Sequence, residues 1–179
     1  MPDARVAQMS RTRIPDEYRG GQEIDETALE ALAERRNAIV GTINEDGTVL
    51  MTPVWFLYEN GLLYFETNSA TRKARNVTER RALTVLVPGT DKDVIAMGHG
   101  RLIYGEEGME INRRVRAKYV TEEGQGPVGR FFEQIDDVAV ELTPSSIATW
   151  TNTKLRNSLR SIPEYTPDAA TTWFLPMDS

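Results

Sequence analysis

Five side chains with the chemistry of an anion cradle lie close together in one stretch of this sequence. They are Thr67, Asn68, Arg72, Lys73 and Arg75, within LLYFETNSATRKARNVTERRALTVLV (62–87). An apolar strand ends at Thr67-Asn68, a short polar turn follows, and a helix opens with the cations in its first turns. Hydroxyl and amide donors at a strand end, unsatisfied N–H groups at a helix start and fixed positive charge together suit a phosphate. The same residues also describe a solvated basic helix that merely links two strands.

The bounds on the whole chain sharpen that choice. Its 179 residues are enough for one domain with a real core, and 40% hydrophobic with 27% charged residues is ordinary globular composition. No apolar run approaches the roughly 18 residues of a membrane span, and the N-terminus does not read as a signal peptide, so the cytoplasm is the default location. There is no cysteine, which excludes disulfides, thiolate metal sites and a thiol nucleophile. A net charge of −6 disfavours nucleic acid as a partner and suits a small anionic ligand on a locally basic patch.

The elements that must position the cradle are mostly strands. Residues 1–23 have no periodicity and read as an arm. A helix is expected from about Asp25 to Arg36-Asn37, with Thr27–Glu30 as a capping box and Ile24, Ala28, Leu32 and Ala33 as its stripe. Ala38–Asn44 reads as a strand closed by the hairpin signal Asp46-Gly47, and Asn60-Gly61 is a second such signal. Between them Val49–Tyr58 is apolar on both alternating faces, as for a barrel wall that also meets another surface, and Pro53 within it demands an edge or a bulge. Ala82–Val87, Val94–Tyr104 and Val138–Thr143 complete six strands, with Pro144 ending the last. Gly98 and Gly100 mark a bend or a close approach of another backbone. Helices are expected at about Met109–Val120 and Val128–Gln134. Six strands joined by short turns predict a mainly β (α+β) fold, an antiparallel split β-barrel with peripheral helices. Residues 24–150 form that domain and 151–179 a tail, in which Lys154–Ser161 has short helical character and Trp173-Phe174-Leu175 is apolar enough to dock.

Several chemistries are excluded or weakened. His99 is the single histidine, so a Ser–His–Asp triad or a zinc site would have to be built on it, and no metal-ligand motif occurs. Gly124-Gln125-Gly126-Pro127-Val128-Gly129 matches G-x-G-x-x-G by letter but lacks the preceding strand of a dinucleotide fold, and is rejected as a phosphate loop. Glu106-Glu107 and Glu122-Glu123 read as solvated helix ends, and Asp136-Asp137 as a turn.

The segment Phe65–Lys73 resembles the YTN–x–x–SRK segment of the pyridoxamine 5′-phosphate oxidase-like, FMN-binding split-barrel superfamily. Lys73-Ala74-Arg75-Asn76-Val77 is similar to the K-x-R-N-L signature of its F420-dependent branch, and Thr52-Pro53-Val54-Trp55-Phe56 to the S-P-V-W-F strand of that branch. The resemblance implies a homodimer of split barrels with two cofactor sites at the interface. The ring would lie along Met51, Thr52, Pro53, Val54, Trp55 and Phe56. The phosphate would rest on Thr67, Asn68, Arg72 and Lys73, with Asn76 nearby. It implies F420, or alternatively FMN, and hydride transfer to an activated small molecule such as an enone, imine, quinone or nitroarene. A cofactor-binding protein without catalysis is the third reading. No catalytic residue is assigned. Tyr119 and His99 are the candidates for donating a proton or orienting substrate, set against plain packing. In pyridoxamine phosphate oxidases the equivalent strand starts with Arg and ends with a substrate-binding Lys, and an Arg one helical turn beyond the tyrosine grips substrate phosphate. Met51, Phe56 and Glu123 hold those positions here, so pyridoxamine phosphate oxidation is not expected.

Overall fold

The computed structural model describes residues 24, 26–89, 92–132, 134–151 and 159–169. The order is α1 (Glu26–Ala33), β1 (Ala38–Ile43), β2 (Val49–Val54), β3 (Phe56–Glu59), β4 (Leu62–Asn68), α2 (Arg72–Arg80), β5 (Ala82–Val87), β6 (Asp93–Ile103), α3 (Gly105–Tyr119), α4 (Glu122–Phe132) and β7 (Asp137–Trp150). All strand pairs are antiparallel, in one seven-stranded sheet of order β2-β1-β5-β6-β7-β4-β3. The two edge strands, β2 and β3, are consecutive in the chain and separated only by Trp55. A flat sheet cannot bring its opposite edges within one residue of each other, so this one curls into a barrel wall. Seven strands stand where six were expected because Trp55 divides the Val49–Tyr58 run. The edge that Pro53 demanded is β2 itself.

Both hairpin signals form turns. Asn60 and Gly61 have φ of 53° and 80°, the left-handed pair that a two-residue turn needs to match strand twist. At the other turn Asp46 Oδ1 accepts the Thr48 N–H at 3.0 Å. Inward-facing residues of every strand make the core, with Val40, Phe56, Leu63, Phe65, Val85, Val140 and Leu142 buried together. A smaller cluster lies where α3 covers the outside of β4 and β7, around Tyr64, Ile103, Ile111, Val115 and Ala139.

The helix and strand limits differ from the sequence reading in four places. α1 stops at Ala33, and Ala31 rather than Ala33 joins Ala28 and Leu32 in the core. α3 begins at Gly105, one turn ahead of the expected start at Met109. α4 starts at Glu122 and contains Gly124–Gly129, which places the rejected glycine motif inside a helix. β7 runs through Pro144 to Trp150. Proline is tolerated because Gly98 pairs with Pro144 while Met97 pairs with Ser146, a bulge in which Ser145 is the extra residue. Its hydroxyl donates to the Met97 carbonyl at 3.1 Å. The docking expectation for Trp173-Phe174-Leu175 and the N-terminal arm lie outside the described residues, as does most of Lys154–Ser161.

The bulge leaves no room at position 98, where a Cβ would stand 2.1 Å from the Thr143 carbonyl oxygen. Gly98→Ala must therefore open the β6–β7 bulge, and a loss of about 1–3 kcal/mol is expected in chemical denaturation. Gly126→Ala, at an α4 position whose nearest neighbour is the Arg130 side chain at 3.5 Å, should be neutral or slightly stabilising in the same assay.

Candidate functional site

The cradle is built where β4 hands over to α2. Thr71 caps the helix, its hydroxyl accepting the Ala74 N–H at 3.2 Å, and lies 3.1 Å from the Thr67 hydroxyl. Asn68 Oδ1 accepts the Ala70 N–H at 3.0 Å and shapes the turn between strand and helix. Lys73 follows, and it is buried. Its ammonium lies 5.3 Å from the centre of the Phe65 ring, and among the described residues no carboxylate pairs with it. Burial alone lowers its pKa. A desolvated ammonium beside a helix N-terminus would be stabilised by an incoming anion, but Lys73 lines neither of the two cavities described next.

Arg72 and Asn76 face a different space. They line a cavity of about 410 Å³ between α2 and the β1–β2 turn, together with Arg75, Glu45, Asp46 and Glu79. Asn76 is committed within the fold, its amide donating to Thr42 Oγ1 at 3.1 Å and Asn44 Oδ1 at 2.9 Å. Pro53, Val54, Trp55, Thr67 and Asn68 instead line a second cavity, also about 410 Å³, with Glu66, Asp137, Phe132 and Ile135. That volume lies within the usual range for small-ligand sites.

The strand nominated for a ring divides by the two-residue period of a strand. Thr52, Val54 and Phe56 face the interior, and Thr52 Oγ1 is buried without a partner. Val49, Met51, Pro53 and Trp55 face out and are exposed in the single chain, Met51 to 63%. The expected burial on both faces is thus met on one. Met51 continues an outward row through Gly41, Thr84, Met97 and Ser146, in which Met51 and Met97 are the exposed apolar side chains.

The two catalytic candidates stand in different settings. Tyr119 stacks parallel on Trp55 with centroids 5.0 Å apart. Its hydroxyl accepts the Phe56 N–H at 3.1 Å and faces two carbonyl acceptors, Arg36 O at 2.9 Å and Phe56 O at 3.1 Å. It anchors the backbone where β2 gives way to β3. His99 is exposed on β6 opposite Ala82 and Thr143 and lines neither cavity. Next to Tyr119, Lys118 donates to the Leu32 carbonyl at 2.9 Å with its ammonium 3.8 Å from the Phe56 ring centre, and burial pulls its pKa down to about 8.

A group that the sequence reading passed over sits on the second cavity. Glu66 and Asn68 alternate onto the same face of β4, and Asn68 is in register with Asp137 at the start of β7. Glu66 and Asp137 line this cavity together, and each carboxyl influences the ionisation of the other. Arg116 of α3 stands 3.6 Å from Glu66 Oε2, with only 9% of the Glu66 side chain exposed. Loss of hydration raises Glu66 to about 7 despite Arg116, and the neighbouring Asp137 adds to the rise. Asp137 is also raised by burial, while its bond with Glu66 and the Arg116 charge pull it back. Two carboxylates this close do not both ionise readily. The available sequence signal was a charged residue at an outward position of an otherwise apolar strand; that Asp137 would meet it was not legible.

Comparison with known proteins gives the setting. The pyridoxamine 5′-phosphate oxidase family profile matches residues 24–151. No curated protein matches the chain. Among solved structures, a conserved hypothetical protein from Mycobacterium tuberculosis is 19% identical with a TM-score of 0.61, covering 74% of this chain and 88% of its own. A structure described as an F420 reductase is 18% identical with a TM-score of 0.53, covering 66% and 94%. PhzG from Burkholderia lata, in complex with tetrahydrophenazine-1-carboxylic acid, is 16% identical with a TM-score of 0.50, covering 69% and 73%. At these identities the likeness speaks for the fold.

The raised Glu66 carries a stability consequence with a definite sign. The unfolded chain gives up this proton near pH 4.5, whereas the folded protein holds it to about 7. The contribution is therefore full below pH 4.5, falls as pH rises and is gone above about 7. Glu66→Gln does not titrate, so its thermal midpoint relative to the native protein should climb across this window and level off above it. A difference independent of pH in melts from pH 4.5 to 8 contradicts the assignment.

Proposed function

The chain belongs to the pyridoxamine 5′-phosphate oxidase family, and from that premise we propose that it is an F420-dependent reductase acting on activated small-molecule acceptors. The observation that carries this reading is Lys73, a buried ammonium with no counter-charge among the described residues, at the start of α2. Thr67 and Asn68, on the second cavity, complete the phosphate end. The choice of F420 over FMN is supported by the Pro53-Val54-Trp55-Phe56 and Lys73-Ala74-Arg75-Asn76 segments. It is also in keeping with the fold shared with a structure described as an F420 reductase.

When bound, the reduced cofactor supplies a hydride to an enone, imine, quinone or nitro group. The protein's part is to hold the phosphate, present Pro53 and Trp55 as a flat apolar wall, and exclude water. Pyridoxamine phosphate is not the expected substrate, because Glu123, exposed on α4, stands where the resemblance places a phosphate-gripping cation. We further propose a homodimer, because Val49, Met51 and Trp55 at the β2 edge and Met97 on β6 are large apolar side chains left exposed on the single chain. A second copy laid on that face would wall the ring site from the other side.

Titration of the purified protein with F420 and with FMN, followed by fluorescence quenching, tests the reading. Micromolar F420 binding with negligible FMN binding is expected, and the reverse outcome makes it an FMN enzyme on the same fold. Lys73→Ala should weaken cofactor binding about 10- to 100-fold, the loss of a charge-assisted bond of roughly 1.5–3 kcal/mol. An unchanged affinity places the phosphate elsewhere. For the assembly, Met51→Glu should convert a dimer into a monomer in light scattering, with cofactor affinity falling alongside. A monomeric native protein at micromolar concentration rules the dimer out.

A further inference from the structure

A hydride reduction is complete only when the acceptor also receives a proton, and neither Tyr119 nor His99 is placed to give one. The second cavity holds a group that is. Its wall carries Pro53, Val54 and Trp55 on one side and Glu66 and Asp137 on another. The same two carboxyls also line an adjoining cavity of about 260 Å³, floored by Asn112 and Arg116. The charged groups facing Glu66 are Asp137, with Asp136 beside it ahead of β7, and Arg116 and Arg113 from α3.

The hydrogen-bond accounting around Glu66 is unusual. As a carboxylate, its Oε1 would be buried with no donor. As a carboxylic acid, the group becomes a donor, for which the Asp137 carboxylate lining the same two cavities is an acceptor. Protonation thus resolves an orphaned buried oxygen that ionisation would create. Arg116 is held for the opposite state. Its Nε donates to the Asn112 carbonyl at 3.2 Å, its guanidinium lies 5.0 Å from the Phe132 ring centre, and its Nη1 is buried without a partner. A fixed cation with spare donor capacity, 3.6 Å from Glu66, stabilises the pair once its proton has left.

We propose that Glu66 and Asp137 form a carboxyl pair sharing one proton, and that this pair is the proton donor of the reduction carried out in the second cavity. The inference rests on the reductase reading above. For an enone acceptor the balance is as follows. A C–H bond forms at the β-carbon with the two electrons of the hydride taken from a reduced flavin or deazaflavin, and the C=C π pair moves onto the carbonyl as an enolate. The pair's O–H bond breaks, its proton joins the α-carbon, and the O–H electrons stay on the carboxylates. Solvent water returns the proton to the pair, both members of which are partly exposed.

Three measurements on the full chain test this. In ¹³C-carboxyl NMR of the cofactor-free protein, Glu66 and Asp137 should titrate together, with the shared step abolished by either Glu66→Gln or Asp137→Asn. Separate, independent titrations overturn the pair. With cyclohexenone and the bound cofactor, kcat of the native protein should fall as pH rises through that step. Glu66→Gln should be about 10²-fold slower and flat over the same range, with Glu66→Asp partly restoring both rate and profile. Cofactor affinity should change less than about threefold in these variants. Variants that bind cofactor and keep the native rate and pH profile overturn the proton-donor role alone. Failure of the native protein to bind either F420 or FMN overturns the reductase reading and this inference with it.

Discussion

The fold depends on one crossing. At Trp55 the chain passes from the edge of the sheet formed by β2 to the edge formed by β3, so curling is imposed covalently rather than by packing alone. The cost of such a crossing is a stretch of backbone with no neighbouring strand, whose polar groups must still find partners. Tyr119 meets that need by engaging the Phe56 backbone from the side, with its ring stacked on Trp55. The tyrosine that resemblance offers as a chemical participant is spent, in this chain, on keeping the barrel closed.

Closure then decides what each face of the sheet can do. Inward residues of the strands fill the core with large side chains, and the two largest cavities described above lie outside it. Chemistry must therefore sit outside, in the clefts where α2, α3 and α4 meet the wall. Three charged groups there, Lys73, Lys118 and Glu66, are shifted toward neutrality by loss of hydration. Burying them costs free energy that the apolar core has to offset. That makes this region the natural one for function, since perturbed ionisation gathers where binding and proton transfer need it.

Much of this was legible in the sequence because it is local. The hairpin turns at Asp46-Gly47 and Asn60-Gly61, the helix opening after Thr71 and the close approach at Gly98 each follow from a few adjacent residues. Boundaries failed where a distant partner intervenes. Pro144 continues β7 because Gly98 on another strand makes the bulge that absorbs its missing donor. The strand from Val49 to Tyr58 breaks at Trp55 because only one residue is available to change edges.

By itself the sequence determined the antiparallel sheet, the cationic start of α2 and the family to which both belong, since turn chemistry and side-chain alternation are set within a few residues. Only the tertiary structure decided which donors share a cavity. It separates Arg72 and Asn76 from Thr67 and Asn68, and it buries Lys73 without a counter-charge. It also takes an aspartate that reads as part of a turn and sets it against a glutamate on β4. Ionisation depends on hydration and on charges a few ångströms away, and those distances exist only once β7 has paired with β4.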